Sequence, residues 1–360
     1  MAWNFERLRE RVAPRAVYAV VKADGYGHGA AAVARRHAAE GADRFAVAQA
    51  DEGVALRRAG VAGEVLVLSY AEAADLPRRR GYGLTPALYD LGQAAALAEA
   101  ARDGPGRLPV HLEVDTGMGR AGIRPERLGE AAALLREARG LSLVGTFANL
   151  SSADDRGSGA TAAQAEGLRA AAARLREAGV PPGILHLANS AGVLAHPGAW
   201  LDAVRPGLAL YGVPPRPDFD GGELRPALRI ETEVLATRRV PPGTPLGYGG
   251  RFVTVRETTV AVIPIGYHDG FRRSLSGRAA VLLRGARAPV VGAVSMDVAL
   301  VDATETGAER GDEVVCLGAQ GGSRITAWEL AEAAATIPYE ILCGFGPRIG
   351  RRYLGGGEGR

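Results

Sequence analysis

Short apolar runs alternate with helix-patterned segments over the first 212 residues of the chain. The runs are rich in β-branched residues and nearly continuous in apolar side chains, a pattern typical of strands buried on both faces. We predict eight strands, at 17–22, 45–49, 64–69, 83–88, 109–115, 143–149, 184–189 and 203–210. Helical spacing recurs between them at 30–40, 51–59, 91–103, 125–139 and 161–178, and more weakly at 72–80 and 191–198.

Eight strand-then-helix units predict an α/β fold, with a closed, TIM-like (β/α)8 barrel rather than an open doubly wound sheet. The barrel domain is predicted over 1–212, and a Pro- and Gly-rich linker over 213–226. A mostly β domain is expected over 227–354, before a flexible tail at 355–360. Its predicted elements are strands at 258–265, 279–283, 289–293 and 313–317 and one helix at 326–336.

Composition narrows the class of protein. The 360 residues are 47% hydrophobic and 23% charged, which is globular rather than disordered. The net charge is +3, and no block of like charge resembles a nucleic-acid arm. No apolar run reaches the length of a membrane span, and the charged N-terminus is unlike a signal peptide. Two cysteines, Cys316 and Cys343, fit a reducing cytosol, and no histidine spacing indicates a metal site.

Lys22 is the single lysine among 43 Lys and Arg residues. A lysine amine can lose its proton or form an imine with an aldehyde, whereas a guanidinium does neither at working pH. Lys22 closes the first predicted strand, at the reactive end of a barrel, and a Gly-rich loop follows it. This placement suits pyridoxal phosphate, whose phosphate Tyr26 could reach. A packed loop aromatic is an equally good interpretation of Tyr26.

Two further segments carry candidate chemistry. In HLEVDTGMGRAG, alternation places His111, Glu113 and Asp115 on one strand face, where they could lie near Arg120. An arginine there could bind a carboxylate or a phenolate, although a structural ion pair is the commoner reason for such a pairing.

The runs that end in HLANSAG and VRPGLALYG supply possible phosphate donors. Ser190 carries a hydroxyl, and the backbone amides near Gly207 and Leu208 could point at an anion. Loops after the last two strands of a barrel often hold phosphate, so this position opposite the lone lysine favours a phosphorylated cofactor.

The motifs VKADGYGHGA, DTGMGRAG, HLANSAG, VRPGLALYG, GYGGRF, PIGYHDGF, GAVSMD and YEILCGFGPRIGRRY together resemble bacterial alanine racemase, in order over nearly the whole chain. The resemblance implies a cytoplasmic, homodimeric, pyridoxal-phosphate-dependent isomerase. It would interconvert L-alanine and D-alanine by a two-base mechanism and supply D-alanine for peptidoglycan.

The resemblance also implies a role for each matching residue. Lys22 would bond to the cofactor aldehyde, and Tyr248 would be the opposing base in the partner's active site. Cofactor-binding positions would be Tyr26, Ser190, Arg205, Gly207 and Leu208, with Arg205 on the pyridine nitrogen. Substrate-carboxylate positions would be Arg120 and the Met296 amide, and supporting or entrance positions would be Glu113, Asn149, Asp154, Tyr267, Arg273 and Asp297.

This chain departs from the family pattern at several places. Glu113 stands where many members have a carbamylated lysine, and it could orient Arg120 with its own negative charge. Asn149 occupies a position, beside Arg205, that is often histidine in the family. Pro347 occupies a position that is a tyrosine in contact with the phosphate in some members. Relatives usually have a strand and most of a helix before the segment that matches Trp3. We therefore expect an exposed sheet edge in the second domain.

Three other functions are compatible with parts of this pattern. A decarboxylase of basic amino acids or diaminopimelate shares the barrel-plus-β plan, but DTGMGR, RPGLALYG and GYHDGF favour the racemase. A non-enzymatic pyridoxal-phosphate protein of cofactor homeostasis would lack the β domain in which Tyr248 lies. A racemase of broader specificity stays open.

Overall fold

The computed structural model describes residues 1–219 and 224–355. Parts of the predicted linker and of the predicted tail lie outside these residues. The chain divides into two compact units, Met1–Arg225 and Pro226–Arg360. Within the described ranges, no helix combines the length and apolarity needed to cross a bilayer.

The N-terminal unit is a barrel of parallel strands. Its ladder runs in the order β1-β9-β8-β7-β6-β5-β4-β3-β2, and β1 and β2 are two pieces of one strand separated by Tyr18. Pairing of Ala16 with Ala203 closes the ring, so eight strands form the barrel and the predicted fold class is confirmed. The nine segments are β1 (Ala16–Val17), β2 (Ala19–Val20), β3 (Arg44–Val47), β4 (Glu64–Val67), β5 (Leu84–Leu88), β6 (Leu108–Glu113), β7 (Leu141–Phe147), β8 (Ile184–His186) and β9 (Ala203–Val204).

Helices follow most of the barrel strands. Their apolar faces bury residues at helical spacing, such as Leu168, Ala171, Ala172 and Leu175 in one helix. The helices are Ala30–Ala39, Ala50–Arg58, Leu76–Gly81, Leu91–Ala101, Leu128–Glu137, Ala160–Glu177 and Ser190–Ala195. Short 3-10 turns lie at Ala73–Asp75, Pro125–Arg127, Pro197–Ala199 and Leu208–Tyr211.

A helix at Ala2–Val12 was not predicted. It buries Phe5, Leu8 and Val12, and its Asn4 side chain donates to the carbonyl oxygens of Leu210 at 3.0 Å and Arg225 at 2.8 Å. Arginines and glutamates separate these buried positions and make the segment charged overall. The apolar residues nevertheless recur at spacings of three and four, as on one face of a helix. The helix therefore ties the start of the chain to the end of the barrel unit.

The C-terminal unit is mainly antiparallel β structure. Its main sheet runs β10-β18-β15-β16-β17-β14-β11, with β19 paired to β18, and β12 and β13 form a separate hairpin. These strands are β10 (Ile230–Glu233), β11 (Ala236–Val240), β12 (Pro245–Leu246), β13 (Phe252–Val253), β14 (Thr258–Ile263), β15 (Ala280–Leu283), β16 (Ala286–Val291), β17 (Ala299–Asp302), β18 (Glu313–Gln320) and β19 (Ser323–Ile325). Helices lie at Ala327–Ala333 and Pro338–Gly344, and a 3-10 turn lies at Arg273–Leu275.

The predicted strands and helix of this unit are present, and the sequence pattern missed the others. The helix Pro338–Gly344 and strands β10, β11, β12, β13, β17 and β19 were not predicted. Strand β11 ends the sheet path, is exposed at four of its five positions and carries Arg238 and Arg239. Charged side chains of this kind oppose pairing of an edge with another chain.

Candidate active site

The loops after the first and last barrel strands lie side by side. The Tyr18 amide donates to the Val204 carbonyl at 2.8 Å, and the Val20 amide donates to the Pro206 carbonyl at 3.2 Å. Strand closure therefore brings the half-buried Lys22, which follows the first strand, beside the segment that begins at Arg205. Both lie at the carboxyl-terminal end of the barrel, where barrel enzymes place their reactive groups.

Lys22 begins a left-handed turn in the Gly-rich segment. Ala23, Asp24, Gly25 and Tyr26 all have φ between 51° and 61°, a conformation that costs energy for residues other than glycine. Glu52 Oε1 accepts from the Ala23 amide at 2.6 Å, and Asp24 Oδ1 accepts from the Ala30 amide at 2.9 Å. Strained backbone held by such contacts is concentrated at functional sites.

Ser190, Gly207 and Tyr26 form a tight cluster beside this turn. Ser190 Oγ accepts from the Gly207 amide at 2.9 Å and from the Ala209 amide at 3.1 Å. A β-carbon on Gly207 would lie 2.3 Å from the Tyr26 hydroxyl oxygen, so only glycine fits there. The Gly207 amide, one of the expected anion donors, donates to Ser190 Oγ in this structure. Leu208 begins the 3-10 turn Leu208–Tyr211, whose first amide has no partner inside the turn.

Arg205 is buried, with 6% of its surface exposed. Its Nη1 contacts the His186 Nδ1 at 2.7 Å and donates to the His186 carbonyl at 3.0 Å, and its Nη2 donates to the Ala148 carbonyl at 2.8 Å. Asn149 Oδ1 lies 3.5 Å from Nη2, at the outer limit of a hydrogen bond. Burial lowers the pKa of Arg205 to about 10, so the group stays cationic at neutral pH.

Glu113 lies inside the barrel among cations and a tyrosine. Burial raises the pKa of its carboxyl, and the charges of Arg205 and Arg120 and a hydrogen bond from Tyr89 oppose that rise. The strand ends at Glu113. The side chain of Asp115, two residues later, accepts hydrogen bonds from the backbone of the following loop. Asp115 Oδ1 accepts at 3.0 Å from the amides of Gly117, Met118 and Gly119, so it shapes the loop that carries the exposed Arg120.

The remaining candidate residues of the N-terminal and C-terminal units are on exposed loops. Tyr248 is 73% exposed in a 3-10 turn, Tyr248–Gly250, between the strands of the β12–β13 hairpin. Asp154 in the N-terminal unit and Arg273 in the C-terminal unit are also exposed.

Tyr267 and Met296 lie on two loops that are joined to each other. The Tyr267 amide donates to the Ser295 carbonyl at 3.0 Å, and the His268 amide donates to the Met296 carbonyl at 3.1 Å. Arg348 links the same loops, since Nε donates to Asp269 at 2.8 Å and Nη1 donates to Asp297 at 2.7 Å. Asp297 therefore acts within the unit as an anchor for Arg348.

Several residues of the site were missed by sequence reasoning. Glu52 and Arg348 have no local signal, because each acts through a contact with a segment far away in sequence. His186 lies within the HLANSAG motif, in which Ser190 carries the more obvious chemistry. The strand alternation that selected His111 was the signal that could have found it.

Two family models match the chain. The model for the alanine racemase N-terminal domain matches residues 1–215, and that for the alanine racemase C-terminal domain matches residues 227–353. The alanine racemase of Symbiobacterium thermophilum is 44% identical over 348 residues, covering 96% of this chain and 92% of the relative.

Solved structures agree with these matches. Alanine racemase from the D-cycloserine producer Streptomyces lavendulae has a TM-score of 0.93 at 34% identity, covering 99% of this chain and 94% of its own. The Bartonella henselae alanine racemase, solved with covalently bound pyridoxal phosphate, has a TM-score of 0.87 at 29% identity, with 98% and 96% covered. From the two family models, the 44% identical relative and the shared architecture, the chain belongs to the alanine racemase family of isomerases.

Proposed function

We propose that the chain binds pyridoxal phosphate through Lys22 and interconverts L-alanine and D-alanine with Lys22 and Tyr248 as opposing bases. The observation that carries the proposal is the position of the single lysine. Lys22 opens a strained turn beside Arg205 and close to the Ser190–Gly207–Tyr26 cluster. An amine, phosphate donors and a buried cation are the groups that this cofactor's aldehyde, phosphate and ring nitrogen require.

The residues present fit the cofactor. The absence of a side chain at Gly207 lets the Tyr26 hydroxyl lie where a β-carbon would otherwise be, next to Ser190. Ser190 Oγ accepts two amide hydrogen bonds and keeps its own proton for donation to an anion. Tyr26, Ser190, Gly207 and the Leu208 amide would hold the phosphate, and Arg205 would donate to the ring nitrogen. When bound, the cofactor acidifies the Cα–H of an attached amino acid by accepting its electron pair.

Inversion at Cα needs a base on each face of a planar centre, because a single base tends to return the proton to the face it came from. The Lys22 amine would take or give the proton on one face. Tyr248 from a second copy of the chain would serve the other face, and its exposure in an extended hairpin suits action outside its own unit. A homodimer is therefore part of the proposal.

Arg120 and the Met296 amide would bind the substrate carboxylate, with Glu113 orienting Arg120. Tyr267, Asp154 and Arg273 would line the entrance, and Asp297 would support it through Arg348. Arg205 has no acceptor and does not give up its proton, so the ring nitrogen beside it would stay unprotonated. The electron sink is then weak, which limits side reactions such as transamination.

The product would be D-alanine for peptidoglycan, made in the cytoplasm. A chain with only two cysteines, Cys316 and Cys343, suits a reducing compartment of this kind.

The test combines a spectrum, a labelling reaction and an assay. The purified chain loaded with pyridoxal phosphate should absorb at about 420 nm, as expected of the cofactor joined to a lysine amine. Borohydride reduction should then place the cofactor on the peptide that contains Lys22, and L-alanine should give D-alanine without release of carbon dioxide. Lys22→Arg is the matched control, since it keeps the charge and removes the only side-chain amine. A cofactor found on another residue would overturn the proposal, and so would a decarboxylated product.

A further inference from the structure

A row of buried polar side chains leads away from Arg205 into the barrel. Arg205 Nη1 lies 2.7 Å from His186 Nδ1, and His186 Nε2 lies 2.8 Å from His111 Nδ1. His111 Nε2 approaches Glu64 Oε1 to 3.0 Å, a close polar contact that is not aligned as a hydrogen bond, and within the described residues neither atom has a hydrogen-bond partner elsewhere. Tyr18 Oη donates to the other oxygen of Glu64 at 2.9 Å. The two histidines have no exposed surface.

The row crosses the barrel from one end to the other. Arg205 directly follows the last strand, Ala203–Val204, at the carboxyl-terminal end. Glu64 is the first residue of the strand Glu64–Val67, at the amino-terminal end, and its side chain is 26% exposed there. The row therefore joins the proposed cofactor side of the barrel to solvent at the opposite side, through His186 and His111 alone.

Hydrogen-bond capacity fixes the direction of every contact in the row. A guanidinium only donates, so His186 Nδ1 accepts, and the single proton of neutral His186 is on Nε2. That proton is donated to His111 Nδ1, which places the His111 proton on Nε2, toward the Glu64 carboxylate. The opposite tautomers would set a His186 N–H against an Arg205 N–H. All donors thus point from Arg205 toward Glu64.

The surroundings agree with a neutral His186 beside the Arg205 cation. Burial, and next the charge of Arg205, lower the pKa of His186 well below its ordinary value. Burial alone would raise the pKa of Glu64, but the contacts with His111, Tyr18 and Arg44 lower it. Arg44 Nε, 3.8 Å from Glu64, is the further charge at that end of the row.

Aromatic stacking holds the His186 ring in one plane. The Phe147 ring lies 5.0 Å from it with an interplanar angle of 8°, and the Tyr18 ring lies 5.0 Å from it at 26°. A stacked ring of this kind cannot turn to present its other nitrogen without disrupting two neighbours. The orientation of Arg205 therefore depends on which nitrogen of His186 carries the proton.

We propose that Glu64, at the amino-terminal end of the barrel, orients the Arg205 guanidinium at the other end by fixing the tautomers of His111 and His186. Glu64, His111 and His186 are positioning residues, since none of them would touch the substrate. With Nη1 and Nη2 engaged by His186 and by carbonyl oxygens, Nε is the nitrogen left to face a ligand. Only this last step rests on the proposed function.

The direct test is the tautomer of each histidine, read from nitrogen chemical shifts of the full-length chain labelled with 15N-histidine. Signals are assigned from His111→Gln and His186→Gln, each of which removes one of them. Both histidines should be neutral at neutral pH, with the proton on Nε2. A proton on Nδ1 of either histidine, or an imidazolium, would overturn the inference.

Two substitutions test the long-range effect. Glu64→Lys replaces the terminal acceptor by a donor, so the His111 and His186 protons should move to Nδ1 and the Arg205 Nε–H resonance should shift. Asp43→Lys is the matched control, because it makes the same charge change beside Arg44 without contact with His111. Unchanged tautomers in a folded Glu64→Lys protein would refute the inference. Should that variant not fold, the wild-type tautomers alone decide.

The two proposals fail separately. Wrong tautomers would leave borohydride labelling of Lys22 intact, whereas a cofactor attached elsewhere would leave the tautomers as they are.

Discussion

Gly207 and Tyr26 approach so closely that a β-carbon at position 207 would lie 2.3 Å from the tyrosine hydroxyl oxygen. We expect Gly207→Ala to displace Tyr26 at a cost of about 1–3 kcal/mol, the usual range for overpacking. The cofactor should then be held roughly tenfold to a hundredfold more weakly. Equilibrium dialysis against pyridoxal phosphate measures this loss. Gly198→Ala is the control, since its β-carbon would meet open space, and equal losses in both variants would contradict a role for the Gly207–Tyr26 contact in cofactor binding.

Glu113 is expected to hold Arg120 for the substrate carboxylate. Glu113→Gln removes the charge, so KM for alanine should rise roughly tenfold to a hundredfold, the worth of a charge-assisted hydrogen bond. Because burial raises the pKa of Glu113, its proton binds at a higher pH than for an ordinary glutamate. The wild-type KM should therefore rise as pH falls through that pKa.

Glu113→Gln should lack this acid limb of the KM profile. Glu126→Gln is the control, because Glu126 is exposed and is paired only with the exposed Arg124. Unchanged kinetics in Glu113→Gln would remove Glu113 from the site.

Tyr248 is expected to act in the active site of a second subunit. Lys22→Ala and Tyr248→Phe should each be inactive alone. In a mixture of the two, half of the dimers are mixed and each has one intact site, so activity should return to about a quarter of wild type. A mixture as inactive as its components would show that both residues serve the same subunit's site.

Arg348 is expected to align the loops that carry Tyr267 and Met296. Its contacts with Asp269 and Asp297 join the two loops, so Arg348→Met should let them separate. We expect kcat/KM for alanine to fall roughly tenfold to a hundredfold, because small misplacements of positioning groups are costly. Cofactor absorbance should stay unchanged. Arg352→Met is the control, since Arg352 is exposed and has a single long contact with Glu231.

Gly145 leaves room for the His111 ring. A β-carbon at 145 would lie 2.4 Å from two atoms of that ring, so Gly145→Ala should destabilise the barrel by about 1–3 kcal/mol. Thermal unfolding of the variant should show a Tm lower by several degrees. Gly129→Ala, in a helix with open space around the new methyl group, should instead be neutral or slightly stabilising.

The sequence predicted the barrel well because periodicity is a local property. Apolar runs located every barrel strand, although the first strand ends at Val20 rather than Lys22. The last strand, predicted at 203–210, ends at Val204, and a 3-10 turn at Leu208–Tyr211 takes the place of its second half. Loss of regular pairing after Val20 lets Lys22 start a left-handed turn, which depends on Glu52 from another segment. No local pattern contains that contact.

The row from Arg205 to Glu64 could not be predicted for the same reason. His111 and His186 are 75 residues apart and meet only because the barrel closes. Strand alternation placed His111 on one strand face with Glu113 and Asp115, but Glu64, which the His111 Nε2 approaches, belongs to another strand. The residue types on one strand face show which side chains are polar. The direction of each hydrogen bond between them depends on partners from the other strands of the barrel.

The barrel closes by pairing between Ala16–Val17 and Ala203–Val204, so the site can be assembled only after the last strand has been synthesised. The ribosome makes Lys22 about 180 residues before Arg205 and Gly207. A nascent chain that lacks the final strand has the amine but neither the buried cation nor the Ser190–Gly207 contact. If the chain binds pyridoxal phosphate as proposed, binding waits until the barrel unit is complete, because a truncated translation product lacks these contacts.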